Sequence, residues 1–525
     1  MAGLRSWFSL TRAGWVLMRE GVVSALPEAG APPPVRLAKR VAKIVRRRRA
    51  ANAPQSKILG NALERLGPSW VKLGQFLATR PDIVGDSIAR DLELLQDRMD
   101  PFPVAEAKKM IAVTLEKDVD TLFAEFDSPI AAASVAQVSK ALVRDDDGER
   151  HVAVKVIRPG VREKFARDLK TFYTAARAID RWFPAAKRLR LVESVDILAD
   201  SARLEMDLRI EAAALSEMAD NIREDEGFRV PQVDWFRSGR DCLTLEWVDG
   251  VKLTDMEGLQ QSGHDLAAVA NTLNQSFLRH TLRDGFFHAD MHPGNLFLAP
   301  DGDIVAVDLG IAGRLGKRER RFLGEILYGF IKRDYRRIAE VHFEAGYVPA
   351  DKDVDSFAQA LRAVGEPIHG QNADAISMGT LLTLLFEITD LFDMKTQPQL
   401  LLLQKTMVVV EGVARKLDPN FNMWTSASPV VVPYMTRLIG PMGIVDEGVE
   451  GLKATHHLLR MAPEMAARAE RLGKEIDEMA ANGLRLDKPT IEAIGKAEAR
   501  HSRSGRIALW VIAAAAIAMV YQSFM

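Results

Sequence analysis

The sequence predicts an α+β chain built as two lobes, a small sheet-bearing one and then a helical one, with a helical extension ahead of both and an apolar helix after them. Three observations predict it. Hydrophobic spacing is helical up to about residue 118, alternates over 123–159 and is mainly helical again from 161. The segment 288–310 (HADMHPGNLFLAPDGDIVAVDLG) sets two short apolar strands around a DGD turn. Residues 507–521 (IALWVIAAAAIAMVY) carry no charge.

At 525 residues the chain is long enough for two or three structural units. Its 47% apolar and 27% charged residues are those of a folded protein, which excludes disordered and collagen-like classes. Lys plus Arg (70) against Asp plus Glu (71) leaves a formal charge of −1, so no global field favours nucleic acid as a partner. Cys242 is the single cysteine, which excludes an internal disulfide and a multi-cysteine metal site and fits a reducing, cytosol-facing compartment. In its setting, CLTLEWV, it reads as a small buried hydrophobe.

Residues 1–35 form an amphipathic segment and a linker. Arg12, Arg19 and Glu20 interrupt any apolar run, so a secretory signal peptide is not expected, and a helix lying on a membrane or on the protein itself is. An organellar transit peptide would share its Arg-rich composition. The Pro-rich stretch 27–35 is the linker. Residues 36–118 are the helical extension. It begins with a basic stretch, 36–49, that is either a solvated helix face or a site for anionic lipid, and breaks at Gly67 and Pro68.

Residues 119–250 are the small lobe, with hairpin strands near 135–143 and 150–157, helices over 161–226 and short strands at 228–236 and 241–248. Residues 251–445 are the helical lobe. A helix over 264–284 ends at Gly285, and later breaks fall at Gly346, Pro349 and 419–433. A mixed-charge helical stalk, 446–505, leads to an anchor at 506–525. Fifteen residues of helix span about 22 Å, short of a hydrocarbon core of about 30 Å, so the segment anchors more readily than it crosses; a buried C-terminal helix is the alternative.

Phosphoryl transfer from ATP needs a loop over the phosphates, a cation on them, an anchor for that cation, metal ligands and a positioning carboxylate. The chain supplies each in kinase order. The loop is Ala131, Ala132, Ala133, Ser134, Val135, Ala136, Gln137 and Val138, small enough at its start for close approach, though alanine is more restricted in φ than glycine. Lys155 in VAVKV is the cation. Glu205, Asp207 and Glu211 lie on a predicted helix; six residues between the two glutamates turn about 600°, which suggests two separate jobs. Glu246 and Val248, in the strand 241–248 that closes the small lobe, join the nucleotide set.

Asp290, Asn295 five residues later, and Asp308 before Leu309 and Gly310 carry the most specific signal. Their spacing is that of a catalytic loop followed by a metal-binding aspartate, in a protein-kinase-like two-lobe fold. Asp290 is expected to face the reacting oxygen, and Asn295 and Asp308 to hold Mg²⁺. His288 and His292 offer a metal pair instead, but the Asp-Asn-Asp set favours a hard, oxygen-ligated ion.

With these residues in hand, the chain resembles the UbiB family of atypical kinase-like proteins, over roughly 60–440. Lys72 and Gln75 in WVKLGQFLATRPD look like the family's KxGQ motif, the alanine-rich loop like its replacement of the glycine-rich loop, and Glu205-Met-Asp207 like its ExD motif. The resemblance implies an ion pair between Lys155 and Glu211, a catalytic Asp290, Mg²⁺ on Asn295 and Asp308, and Lys72 directed at Glu205 and Asp207. It further implies ATP hydrolysis in support of ubiquinone biosynthesis. The expected setting is a membrane, at the cytoplasmic face of the inner cell membrane or at the mitochondrial inner membrane. Expected partners are lipid, ubiquinone precursors or ubiquinone-biosynthesis proteins, and a homodimer is admitted. No APE-like segment follows Gly310, so transfer to proteins is disfavoured. HADMHPGN is also similar to the loop of choline and aminoglycoside kinases. A true phosphotransferase on a small molecule or protein, and a non-catalytic nucleotide-binding scaffold, are the alternatives.

Overall fold

Helical spacing in the sequence is realised at once as helix α1 (Ala2–Arg19). The computed structural model describes residues 2–22, 55–93, 99–182, 187–370 and 388–439, less 79, 85, 147, 188, 389–390 and 395–397. The predicted linker, the basic stretch 36–49, the stalk 446–505 and the anchor 506–525 lie outside the described residues. Among the described residues no helix is long and apolar enough to cross a membrane. The chain divides into a compact unit, Met1–Thr436, and a second, Arg437–Met525, of which only 437–439 are described.

Helix α2 (Gln55–Leu66) buries Ile58, Ala62, Leu63 and Leu66 along one face. It stops at Gly67, whose φ of 109° suits glycine. Helix α3 (Pro68–Ala78) then opens on Pro68, a first-turn position that needs no amide hydrogen. It carries Lys72 and Gln75, and short α4 (Pro81–Val84) and α5 (Asp86–Glu93) follow; Leu63, Val71 and Leu92 form their shared core.

Helix α6 (Val104–Leu115) and the single turn α7 (Val119–Leu122) precede strands β1 (Glu125–Ala132), β2 (Ala136–Asp145) and β3 (Gly148–Ile157). The hairpin strands thus match their expected places, while β1 is a strand the sequence reading did not resolve. Its exposure follows no period of two, and its register to β2 shifts around Pro129, so the alternation expected from residue 123 sets in only with β2.

Helices α8 (Val161–Trp182), α9 (Leu191–Glu205) and α10 (Leu208–Asn221) come next, then β4 (Phe228–Arg229) and β5 (Cys242–Glu246). The strand expected over 228–236 ends early. Pro231 follows β4, and the Asp234 carboxylate accepts the Arg237 amide to close a 3₁₀ turn at Trp235–Arg237.

One antiparallel sheet runs β1-β2-β3-β5. Alternation along β3 buries Val152, Val154 and Val156 against Phe102, Ala107 and Ile111, so α6 packs into the small-lobe core although the sequence groups it with the extension. Lys155 points to the other face. Cys242 is fully buried in the same core, where burial pushes its thiol up to about 12, as a structural hydrophobe requires.

The second lobe begins with β6 (Val251–Lys252), α11 (Met256–Gln261) and α12 (Leu266–Arg279), which runs into a π-helical turn, His280–Asp284, capped by Gly285 at φ 67°. Strands β7 (Phe286–His288), β8 (Leu296–Leu298), β9 (Ile304–Ala306) and β10 (Ala312–Arg314) follow. They form a four-stranded sheet, β4-β9-β8-β6, and a β7-β10 ribbon. Helices α13 (Lys317–Lys332), α14 (Tyr335–Glu344), α15 (Val354–Gly370), α16 (Pro398–Leu417) and α17 (Met423–Ile439) complete the described chain. The break expected through 419–433 holds only as far as Asn422. Pro429 and Pro433 sit inside α17, where each removes a backbone hydrogen bond at a cost of about 3 kcal/mol, offset by burial of Ala427, Val431 and Met435 on one face.

Candidate active site

The stretch predicted as one helix carrying Glu205, Asp207 and Glu211 is two helices. Glu205 is the last residue of α9, Asp207 caps the start of α10 by accepting the Arg209 amide at 3.2 Å, and Glu211 lies in the first turn of α10. The rotation argument therefore does not apply, but the separation of jobs stands: the break sends the two glutamates to different lysines. From β3, Lys155 Nζ donates to both Glu211 oxygens at 2.9 Å and to Asp308 Oδ1 at 3.0 Å. Burial works against the Lys155 charge, yet Asp308 and Glu211 together hold its pKa above the ordinary lysine value. Burial pushes the Glu211 carboxyl up to about 7 against the pull of Lys155. The Lys155 ammonium keeps the Asp308 carboxyl below its usual range.

Asp308 has φ 61°, the left-handed region, which costs a non-glycine residue about 1–2 kcal/mol. This strain sits where the chain leaves β9 and aims the carboxylate back at β3. Half of the Asp308 side chain remains exposed, so oxygen is available beyond the lysine.

The β8–β9 hairpin does what its sequence promised. Leu296 pairs with Ala306 and Leu298 with Ile304, and the Val307 amide donates to the Asn295 carbonyl at 2.9 Å, which sets Asn295 beside the approach to Asp308. Asn295 Nδ2 donates to the Asp290 carbonyl at 3.2 Å and lies 3.5 Å from Asp290 Oδ2, which leaves the Asn295 amide oxygen as an acceptor.

The two histidines have structural jobs in place of the metal pair. Buried His288 accepts the Asp290 amide on Nδ1 at 3.2 Å, so its Nε2–H donates to the Val307 carbonyl at 3.3 Å; burial keeps the ring neutral. His292 accepts the Gly294 amide on Nδ1 at 3.1 Å and caps the 3₁₀ turn Pro293–Asn295. Among the described residues no group of three or more His, Cys, Asp or Glu side chains is arranged to hold a metal.

The alanine-rich loop is tighter than its sequence suggests. Ala131 and Ala132 are paired with Val138 and Gln137 in the sheet, and the Ala133 amide donates to the Ala136 carbonyl at 2.8 Å, so the turn proper is Ala133, Ser134, Val135 and Ala136. The guanidinium of Arg158 donates to the Ala133 carbonyl at 3.1 Å, and the Arg158 amide to the Val135 carbonyl at 2.8 Å. Gln137 is buried in its strand, accepting the Phe102 amide at 2.9 Å, so its side chain faces the core and not a phosphate. At the other end of the sheet the Glu246 carboxylate accepts Arg229 at 2.9 Å and the Gln232 amide at 3.2 Å, so it is occupied by protein; half-buried Val248 follows the end of β5.

Lys72 of α3 forms an ion pair with Glu205, both largely buried. Asp207, expected to share that lysine, is held by Arg209 at 2.6 Å, which keeps its carboxyl below the usual range. The reason is local: Arg209 lies two residues along and reaches the capping carboxylate with little loss of freedom. Gln75 is half-buried three residues beyond Lys72 on α3. Pro68, Lys72, Ser134, Val135, Ala202 and Glu205 share one small cavity, so the extension meets the turn of the alanine-rich loop.

Sequence reasoning missed two residues that fasten this site. Arg158 is one. The other is Thr406 of α16, whose buried hydroxyl shares its one proton between the Ala289 carbonyl in the catalytic loop, at 3.0 Å, and the Leu402 carbonyl of its own helix, at 2.9 Å. A threonine between the apolar runs 400–403 and 407–410 was the available signal.

A lysine on the polar face of a small sheet, tied to a helix glutamate and to an aspartate that follows a hairpin, defines an atypical kinase-like protein. The ABC1 atypical kinase-like domain matches residues 94–342, and the UbiB helical domain matches residues 361–422. The chain belongs to the UbiB family, whose name ties it to ubiquinone biosynthesis. It is 36% identical to "Probable protein kinase UbiB" of Marinobacter nauticus, across 87% of this chain and 83% of that protein. It is 39% identical to the protein of the same name from Azotobacter vinelandii, across 79% of this chain and 78% of that one. Among solved structures it is similar to the Rv3197–erythromycin complex from Mycobacterium tuberculosis, with TM-score 0.49 and 23% identity over 75% of this chain and 97% of that one.

Proposed function

We propose that the chain is a membrane-associated, kinase-like ATPase that binds ATP with Mg²⁺ and supports ubiquinone biosynthesis by acting on lipid intermediates or on the enzymes that handle them. The observation that carries this reading is the convergence of Lys155, Glu211 and Asp308 beside the Asp290–Asn295 loop. Lys155 takes the α and β phosphates, and Glu211 holds it in place. The exposed half of Asp308 and the Asn295 amide oxygen suit a hard cation that keeps most of its ligands from phosphate and water, so these two residues would hold Mg²⁺. Such an ion would supply neutralisation of the phosphate charge. Asp290 would position the attacking oxygen, and the backbone of the alanine-rich turn would cover the phosphates.

The Lys72–Glu205 pair at that turn favours hydrolysis over transfer to a protein, since α3 stands where a bulky acceptor would approach. The charge-free stretch 507–521 supports membrane attachment. The test is complementation. In a quinone-dependent bacterial host lacking its own copy, the wild-type chain restores ubiquinone and Asp290→Asn does not; normal ubiquinone with Asp290→Asn contradicts the proposal.

A further inference from the structure

Helix α1 has two unlike faces. Ala13 is buried and Leu17 half-buried on one side, and Glu20, in the turn just past the helix end, is buried in line with them, within an arc of about 60°. That arc faces the body of the protein: α1 packs on α8 and α2, and Glu20 accepts Arg65 of α2 at 2.6 Å. Roughly opposite lies a second arc of about 60° holding Phe8, Arg12, Trp15 and Arg19. Here Phe8 is 81% and Trp15 47% exposed, Arg12 is exposed, and the Arg19 guanidinium lies 6.0 Å from the Trp15 ring. Cation and aromatic alternate along this face at intervals of four, three and four residues, and the same spacing continues in sequence to Arg5. No Asp or Glu occurs in α1, and among the described residues no carboxylate pairs with Arg12 or Arg19.

We infer that this outer face of α1 is a docking surface for an anionic phospholipid bilayer. Two large aromatics left in water on an anchored helix are an apolar surface with no occupant among the described residues. Trp beside Arg suits the depth of lipid headgroups, where the ring is half solvated and the guanidinium meets phosphate. Charge complementarity selects anionic lipid over a second copy of the chain, because α1 against α1 would bring like charges together. The inference builds on the membrane-attached reading but is separable from it. An apolar anchor holds neutral and anionic bilayers alike, whereas this face distinguishes them. It also fixes an orientation, with α1 and the α2–α3 extension next to the lipid.

The full chain with Trp15→Cys, labelled with an environment-sensitive fluorophore, reads the surface directly; Cys242 is fully buried and is not a competing site. On titration with phosphatidylcholine vesicles containing phosphatidylglycerol, the probe shifts to the blue, and added salt reverses the shift. Vesicles of phosphatidylcholine alone leave it unshifted even where the chain floats with them. The double variant Arg12→Gln, Arg19→Gln weakens the anionic-vesicle response by about fivefold per arginine, on the order of twenty-five-fold in all. An unshifted probe on co-floating anionic vesicles overturns the inference and leaves the anchor standing. An equal shift on neutral vesicles, or a shift that follows protein concentration without lipid, also overturns it, the last in favour of a second copy.

Discussion

Lys155 and Lys72 each meet a glutamate from the stretch 205–211, yet they are held in different ways. Lys155 has two carboxylate partners, one from each lobe, and Glu211 is only 6% exposed. Among the described residues Lys72 is paired with Glu205 alone; it is as buried as Lys155, 16% against 18% exposed, and the difference lies in the glutamates, Glu205 being 23% exposed. The helix break at Met206 makes this division, since it turns Glu205 toward the extension and Glu211 toward the sheet. A lysine tied twice, once to a buried glutamate, behaves as fixed machinery. A single pair has fewer ties to break than a double one and suits an extension that opens and closes.

The largest effect expected from this comparison is that of Lys155→Met. It leaves Glu211 buried without a cation, so urea unfolding reports a loss of about 3 kcal/mol or more, and nucleotide binding is abolished. A variant of unchanged stability would place Lys155 in the same class as Lys72. Next comes Glu211→Gln. In the folded chain the Glu211 carboxyl holds a proton up to about 7, while the unfolded chain releases it near 4.5, so stability from this group is greatest on the acid side and falls as pH rises between those values. Glu211→Gln removes that slope from a series of urea midpoints across pH 4–8, and a slope identical to wild type would count against the assignment.

Lys72→Ala sharpens the other half of the comparison. Its stability cost is smaller than that of Lys155→Met, since the glutamate left without a cation is the more open of the two, while nucleotide affinity changes or autophosphorylation appears, read by calorimetry and by labelled γ-phosphate. Equal nucleotide behaviour in variant and wild type would remove the gating role. The smallest effect belongs to Thr406→Val, near-isosteric, which costs about 1 kcal/mol and lowers hydrolysis by loosening Ala289. Thermal unfolding and steady-state rates measure the two together.

Much of this site was legible because it is carried by local pattern. Alternation in VAVKV sends Lys155 away from the core valines, and LFL and IVA around DGD bring Asn295 toward Asp308. Contacts that depend on a particular side chain winning a partner were not legible. Asp207 goes to Arg209 instead of Lys72, the Glu246 carboxylate to Arg229, and Gln137 into the core, all by competition that spacing does not record. Strand β1 and the proline-bearing α17 were hidden for a related reason. An exposed edge strand lacks the period that marks a strand, and packing on one face offsets two prolines that otherwise read as breaks.

The central claim is that Lys155, Asp308 and Asn295 form an ATP and Mg²⁺ site that turns nucleotide over. The most direct test is phosphate release from ATP by the purified full-length chain, titrated with Mg²⁺, for wild type and Asp308→Asn. Mg²⁺-dependent hydrolysis is expected in the wild type, with a loss of about 100-fold or more in the variant, folded and at the same Mg²⁺. Hydrolysis by Asp308→Asn at the wild-type rate would contradict it.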